Sequence, residues 1–303
     1  MSLREHLARR LVSSSLRLSF KLPGRLPVPL TLLRAGMEQG SRPFRPHPDV
    51  QAESTRLADV PCLRLRPPHA SARVLLHIHG GAFFGGSSAS HHALGSELAR
   101  RAEAEVWLAD YRRAPEHAYP AAFDDARSCY EALLATGHRP EDIVLGGDSA
   151  GGALVLALCL WLRDHGQPQP GGLLMISPFL DMRLSNPSVR QLARRDPMLT
   201  VRPLQRGADA YRGAIASDDP CVSPGLAPSL AGLPPTLVQV GSEEILLDDA
   251  REFSARAIAD GSPVRCQILP GLWHDAAMFH ALIPSANAAL DTLAAFVREP
   301  GHA

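Results

Sequence analysis

Apolar residues in this chain come in short solid runs rather than in strict alternation. Val74 to His79, Glu105 to Asp110, Asp142 to Gly147, Leu173 to Ser177, Thr236 to Val240 and Val264 to Leu269 are each a handful of residues long and dominated by Val, Ile and Leu. Runs of that length, bounded by Gly, Pro or Asp, read as strands buried on both faces. Residues 58–66 read as a further early strand. Between the runs lie stretches of helix formers such as Ala153 to Leu162. Strands alternating with helices predict an α/β architecture with a mainly parallel, doubly wound sheet. Two segments break this rhythm. Residues 1–45 read as mostly helical, interrupted at Pro23, Pro27 and Pro29, with a Pro- and Arg-rich connector over 41–48. Residues 181–222 carry Pro187, Pro197, Pro203 and Pro220 and no strand pattern. No internal repeat or low-complexity tract is visible.

The strand ending near Gly147 runs into Asp148-Ser149-Ala150-Gly151-Gly152 and then into a helical stretch. Strand, G-x-S-x-G, helix is the setting in which a serine is held on a sharp turn with its hydroxyl presented as a nucleophile. The glycines fit because strand and helix backbones converge there and a side chain would collide. The strand from Val74 ends in His79-Gly80-Gly81-Ala82. Small residues after an early strand let backbone N–H groups turn toward a developing oxyanion, which makes Gly80, Gly81 and Ala150 the expected donors. A phosphate loop is the competing reading; it fails because no G-x-G-x-x-G opens a helix here and no Gly-Lys-Ser/Thr is present. His77 reads as a core histidine and His79 as a residue that shapes the loop. A base and an orienting carboxylate should follow the nucleophile in the order Ser, acid, His. His274, on the loop after the last strand, is the base candidate. Glu243, Glu244, Asp248 and Asp249 all follow the strand ending at Gly241, and spacing alone leaves the acid open among them.

From about residue 50 onward the chain resembles the hormone-sensitive-lipase-like branch of the α/β-hydrolases, which includes bacterial carboxylesterases. Four runs carry the resemblance: His79-Gly80-Gly81-Ala82, Asp110 to His117, Gly147 to Gly152 and Gly271-Leu272-Trp273-His274. It implies an α/β-hydrolase fold with a helical cap, residues 1–45 forming one cap segment and 181–222 a second. It further implies a serine carboxylic-ester hydrolase that works through an acyl-enzyme on small-molecule esters of short to medium acyl length, without metal or organic cofactor. Aligned on Gly241, Leu246 and Asp248, the family's acid position is Glu244, where the family more often has Asp. Ala82 stands where the commoner form of the loop has a third glycine. The same triad could serve a lactonase or an amidase, and a non-catalytic ligand receptor on a hydrolase fold is the alternative of a different class; such receptors lose a triad member, and this chain has all three.

Composition narrows the picture further. The 303 residues are 45 % apolar, enough for a buried parallel sheet, and the formal net charge is zero, which gives no reason to expect a nucleic-acid partner. Five cysteines are scattered, odd in number and never in a C-x-x-C pair. This argues against a disulfide framework or zinc site and fits a reducing cytoplasm. No apolar stretch is long enough to span a bilayer, and Arg17 interrupts any signal-peptide core. Leu3, Leu7, Leu11, Leu16 and Leu18 with Arg4, Arg9, Arg10 and Arg17 give the N-terminus an apolar and a basic side. An interfacial helix would look like this; the family resemblance favours a helix packed over the active site. The family resemblance also implies that a homodimer could form through the last strand, Val264 to Leu269.

Overall fold

The computed structural model describes residues 3–302. Its strands are β1 (Gln51–Leu57), β2 (Val60–Arg66), β3 (Val74–Ile78), β4 (Glu105–Ala109), β5 (Ile143–Asp148), β6 (Gly172–Ile176), β7 (Thr236–Gly241) and β8 (Val264–Leu269). Its helices are α1 (Leu3–Leu16), α2 (Leu22–Arg25), α3 (Leu30–Ser41), α4 (Ser88–Ala102), α5 (Ala121–Ala135), α6 (Ala150–Asp164), α7 (Pro187–Gln191), α8 (Val201–Arg212), α9 (Leu247–Ala259) and α10 (Pro284–Arg298). All eight strands join one sheet in the order β1-β2-β4-β3-β5-β6-β7-β8. The β1–β2 and β2–β4 pairs are antiparallel, and every pair from β4 to β8 is parallel. Helices α4 and α10 pack on one face, and α5, α6 and α9 on the other. The mainly parallel, doubly wound sheet expected from the apolar runs is what forms.

Both faces of the central strands are dry. Val74, Leu75, Leu76 and Ile78 of β3 are each at most 1 % exposed, and burying such side chains contributes about 1.5–3 kcal/mol apiece. The early strand at 58–66 is in fact a hairpin. Ala58 and Asp59 form its turn, with Ala58 at φ 48°, and β1 pairs back on β2 from Leu57↔Val60 outward. β1 escapes a hydrophobic reading because Gln51-Ala52-Glu53-Ser54-Thr55-Arg56-Leu57 lies at the sheet edge and buries only Leu57.

The two segments outside the strand rhythm sit together over the carboxyl ends of the strands. The N-terminal helix does not break at Pro23: α1 continues through a π-turn (Arg17–Lys21) into α2, with Pro23 in the first turn of α2, where a missing N–H costs little. The break comes at Leu26 to Pro29, before α3. Side chains reaching to backbone carbonyls hold this arm down. Lys21, buried, donates to the carbonyl of Ala193 at 2.7 Å and to that of Asp196. The Arg17 guanidinium donates to the carbonyls of Arg194 and Arg195, and Arg206 of α8 donates to that of Val28. Arg34 of α3 donates through Nε to the Phe84 carbonyl at 2.6 Å, reaches the Ala114 carbonyl at 3.1 Å and pairs with Glu116. Because Arg34 is only partly buried, Arg34→Ala should lower unfolding free energy by about 1–2 kcal/mol. A urea midpoint identical to that of the parent would show that α3 is held by apolar contacts alone.

Candidate active site

β5 delivers Ser149 to a sharp turn between strand and helix. Its φ of 51° and ψ of −118° lie outside the regions open to ordinary residues. Backbone hydrogen bonds hold it there: its N–H donates to the Ile176 carbonyl at 2.8 Å, and its own carbonyl accepts from Phe179 at 2.9 Å and Gly152 at 3.1 Å. Gly151 is required by contact, since a Cβ there would stand 1.8 Å from the Ile78 carbonyl oxygen. Ser149 lines a cavity of about 860 Å³ between the sheet edge and the two overlying helical segments.

His274 lines the same cavity from the loop after β8 and is buried. Of the four acids left open by spacing, only Glu244 approaches it, with Oε2 3.7 Å from His274 Nδ1. That is ion-pair range and longer than a hydrogen bond, a looseness usual before substrate binds. Glu243 faces outward and pairs with Arg195. Asp248 accepts from the Ser188 N–H at 2.7 Å, and Asp249 accepts the N–H groups of Leu180 and Asp181 and the Asn186 amide. The loop carrying Glu244 and the loop carrying His274 are laced together: Glu243 N–H donates to the Leu272 carbonyl, Ser242 N–H to that of Leu269, and Gly271 N–H to Ser242 Oγ. Ser177, not singled out in the sequence, is a bridge as well. Its hydroxyl donates to Glu244 Oε2 at 2.8 Å and accepts from the Asp275 N–H at 3.1 Å.

Asp275 is the largest departure from the sequence reading. It is buried, adopts the left-handed conformation (φ 51°, ψ 38°), and places Oδ2 3.1 Å from His274 Nε2. Burial pushes its carboxyl up to about 6 against the opposing pull of His274. His274 is itself raised well above the usual imidazole range: burial disfavours its charge, but Asp275 and then Glu244 outweigh burial. The Nε2–Oδ2 contact needs a proton between the two groups, and that same nitrogen must be bare to accept the Ser149 proton. An acid directly after the base and inside a buried loop was the signal available in the sequence.

The loop after β3 corrects one expectation. Gly80 cannot offer its N–H to a substrate oxygen, because that N–H donates to Asp148 Oδ2 at 2.9 Å. Gly81, at φ 117°, and Ala82, at φ 51°, bend the chain next, and among the described residues their N–H groups meet no acceptor. The Ala150 N–H, in the first turn of α6, is likewise free of a partner. Asp148 is the hub behind this loop. It also accepts from His77 Nε2 at 2.8 Å and His91 Nε2 at 3.2 Å. Burial alone would push its carboxyl up, but His91 and His77 hold it well below the usual range. His91 faces acceptors on both sides, Asp148 and the Ser87 carbonyl, and is shifted toward the charged form: burial opposes this and the Asp148 charge overrides it. His79 is held neutral, its imidazole pushed down to about 3 by burial and then by His91. It caps the Gly80 carbonyl at 2.8 Å and stacks on Tyr111, so it shapes the loop as expected. Among the described residues, no cluster of three or more His, Cys, Asp or Glu side chains is arranged to hold a metal ion.

Comparison with known proteins shows the family of the chain. The model of a family with the alpha/beta hydrolase fold matches residues 75–278. An esterase of Acinetobacter venetianus is 41 % identical over 284 residues, 93 % of each chain. The solved structure of EstE5 soaked with p-nitrophenyl butyrate superposes with a TM-score of 0.92 at 35 % identity, covering 98 % of this chain and 99 % of its own. A solved esterase of the bacterial hormone-sensitive lipase family has a TM-score of 0.91 at 32 % identity, with 99 % of each chain covered. The chain belongs to the α/β-hydrolase fold family and is a carboxylesterase of the hormone-sensitive-lipase-like kind.

Proposed function

We propose that this carboxylesterase works through a triad of Ser149, His274 and Glu244. The observation that carries the reading is the strained turn at Ser149 opening on the cavity that His274 also lines, with Glu244 behind it. Ser149 Oγ attacks the acyl carbonyl while His274 Nε2 takes its proton, and Glu244 orients the ring through Nδ1 and favours the imidazolium. The tetrahedral oxygen is received by backbone N–H groups. The free N–H groups of Gly81, Ala82 and Ala150 suit that role, with Gly80 as the residue that Asp148 uses to anchor the loop. His274 then returns its proton to the leaving alcohol, and water repeats the sequence on the acyl-enzyme. A single-site serine reagent such as an organophosphonate should add one adduct per chain, on the peptide containing Ser149, and Ser149→Ala should lose at least ~10⁴-fold in turnover. Glu244→Gln should cost on the order of 10⁴-fold, while Glu243→Gln and Asp249→Asn leave the chemistry largely intact in folded protein. A severe loss in Asp248→Asn instead would move the acid to that position.

The cap reading supplies the substrate class. Residues 3–41 and 187–212 enclose the cavity with apolar side chains, Leu16, Phe20, Leu33 and Leu204 among them. Each further buried CH₂ of an acyl chain should favour binding by about 0.8 kcal/mol until the pocket ends. Activity over a p-nitrophenyl ester series should therefore rise and then fall within short to medium acyl lengths. Removing residues 1–40 should flatten that profile while circular dichroism of the core persists. A truncated enzyme with the parent profile would mean that the arm does not shape the pocket. The five cysteines are free, three of them buried, which supports a reducing compartment.

Asp275 sets the working pH in this mechanism. Its charge stabilises protonated His274, so His274 reaches its bare, basic form only at higher pH than it would alone. Asp275→Asn should shift the acidic limb of the kcat/KM profile toward lower pH, so that activity survives further into acid. An acidic limb that stays in place would show that Asp275 does not touch the titration of the base.

A further inference from the structure

The outer surface of the N-terminal arm combines two features that no part of the catalytic reading uses. Among the described residues, eleven large apolar side chains are exposed, and seven of them are leucines between residues 3 and 32. Leu3, Leu7 and Leu11 recur every four residues along α1 and so form one stripe; Leu3, Leu11 and Leu18 are each at least 68 % exposed. Leu11 and Leu32 stand at the mouth of the cavity that holds Ser149, beside the exposed Leu282. A folded protein seldom leaves such a concentration facing water without a use.

The charge on the same arm is lopsided. Residues 3–45 carry nine Lys and Arg against Glu5 and Glu38, in a chain whose net charge is zero. Both acids are already engaged, Glu5 with Arg9 and Glu38 with the Ser87 hydroxyl. Arg4, Arg10 and Arg25 are exposed, and among the described residues none of them has an acidic partner. A second copy of this chain would meet the face with the same positive charge, so self-association is disfavoured. An anionic lipid surface answers both features at once, taking the leucines into its acyl boundary and the arginines among its headgroups.

We propose that the cap docks on anionic lipid surfaces, with the cavity mouth facing the bilayer, so that lipid-dissolved esters reach Ser149 without crossing water. No helix among the described residues is long and apolar enough to cross a membrane, so the contact is peripheral. The idea builds on the ester-hydrolase identity and not on the triad assignment, because lipid binding is measured without turnover.

The test is co-sedimentation of the full chain with vesicles of phosphatidylcholine alone or with about 30 % phosphatidylglycerol, at low and at ~0.5 M salt. The parent should pellet with the anionic vesicles at least about tenfold more tightly than with neutral ones, and salt should weaken that binding. Leu7→Glu/Leu18→Glu changes two exposed leucines outside the cavity lining and should weaken binding by about tenfold or more, while hydrolysis of dissolved p-nitrophenyl butyrate stays within about twofold. Arg10→Glu/Arg25→Glu should weaken anionic binding in the same way and gives an independent reading should the leucine variant misfold. Equal or absent binding to the two vesicle types overturns the proposal, as does variant binding that matches the parent. So does a parent that runs as a dimer and becomes a monomer in the leucine variant, since a second copy would then be what covers the stripe.

Discussion

A buried carboxylate beside the nucleophile is the constraint on which the site depends. Asp148 ends β5, one residue before Ser149, and has no access to water. An isolated ionised carboxylate in that position would be untenable, and burial of this kind is tolerated only when every lone pair has a partner. Here the partners come from three separate elements: His77 of β3, His91 at the start of α4 and the Gly80 N–H of the loop between them. The Ser149 turn, the central strand and the loop after β3 are therefore registered on one point. The shift of His91 toward its charged form answers the charge on Asp148, and burial first, then His91, keeps His79 neutral. His77, read in the sequence as a core histidine, and His91 are thus the electrostatic support of a loop whose backbone must be placed to a fraction of an ångström.

What the sequence could show follows from what each kind of feature needs. The nucleophile turn was legible because backbone crowding demands small residues at fixed spacing, and Gly147, Gly151 and Gly152 record that demand in residue type. The parallel core was legible because strands buried on both faces leave solid apolar runs. β1 was not, because an edge strand buries one residue and its remaining identity is set by pairing. Pro23 misled because a proline is a breaker only where the helix needs its N–H, and the π-turn before it removes the need. The proposed acid, Glu244, could be reached by family alignment but not by spacing, since Glu243 and Glu244 differ only in which way the turn after β7 faces them. The Gly80 assignment failed for a related reason. Which N–H of a glycine loop points into a cavity and which points backward is a matter of φ and ψ, and the only textual hint was an acid in the neighbouring motif with no partner of its own.

Asp275 shows how the placement of one residue changes the chemistry without altering the motif. A base flanked on one nitrogen by an orienting carboxylate and on the other by a second carboxylate carries two stabilisers of its charged form. In the proposed mechanism the imidazolium formed during attack gains from both. The resting enzyme loses something by the same interaction, because a proton held between His274 and Asp275 must leave before Nε2 can act. The arrangement favours the transition state at the cost of a smaller active fraction in acid, which is the usual balance when a base is made stronger by its surroundings.

The cap is fastened differently from the core, and the difference bears on how substrate enters. Core elements are joined by dry side-chain packing, whereas the arm over residues 3–41 adds to its apolar contacts through Leu16, Phe20 and Leu33 a set of Arg and Lys side chains reaching to backbone carbonyls of residues 84, 114 and 193–196. Apart from those of the buried Lys21, bonds of that kind lie near the surface and exchange readily with water or with lipid phosphate, so each contributes modestly. An element held by many modest, solvent-facing bonds opens locally at low free-energy cost while the sheet stays intact. Ser149 and His274 sit buried on the wall of the cavity under this arm, so local opening of the arm would widen the path of an ester to them. The residues that fasten the arm and the residues that face outward from it are of the same basic kind, and an environment that competes for the first would be met by the second.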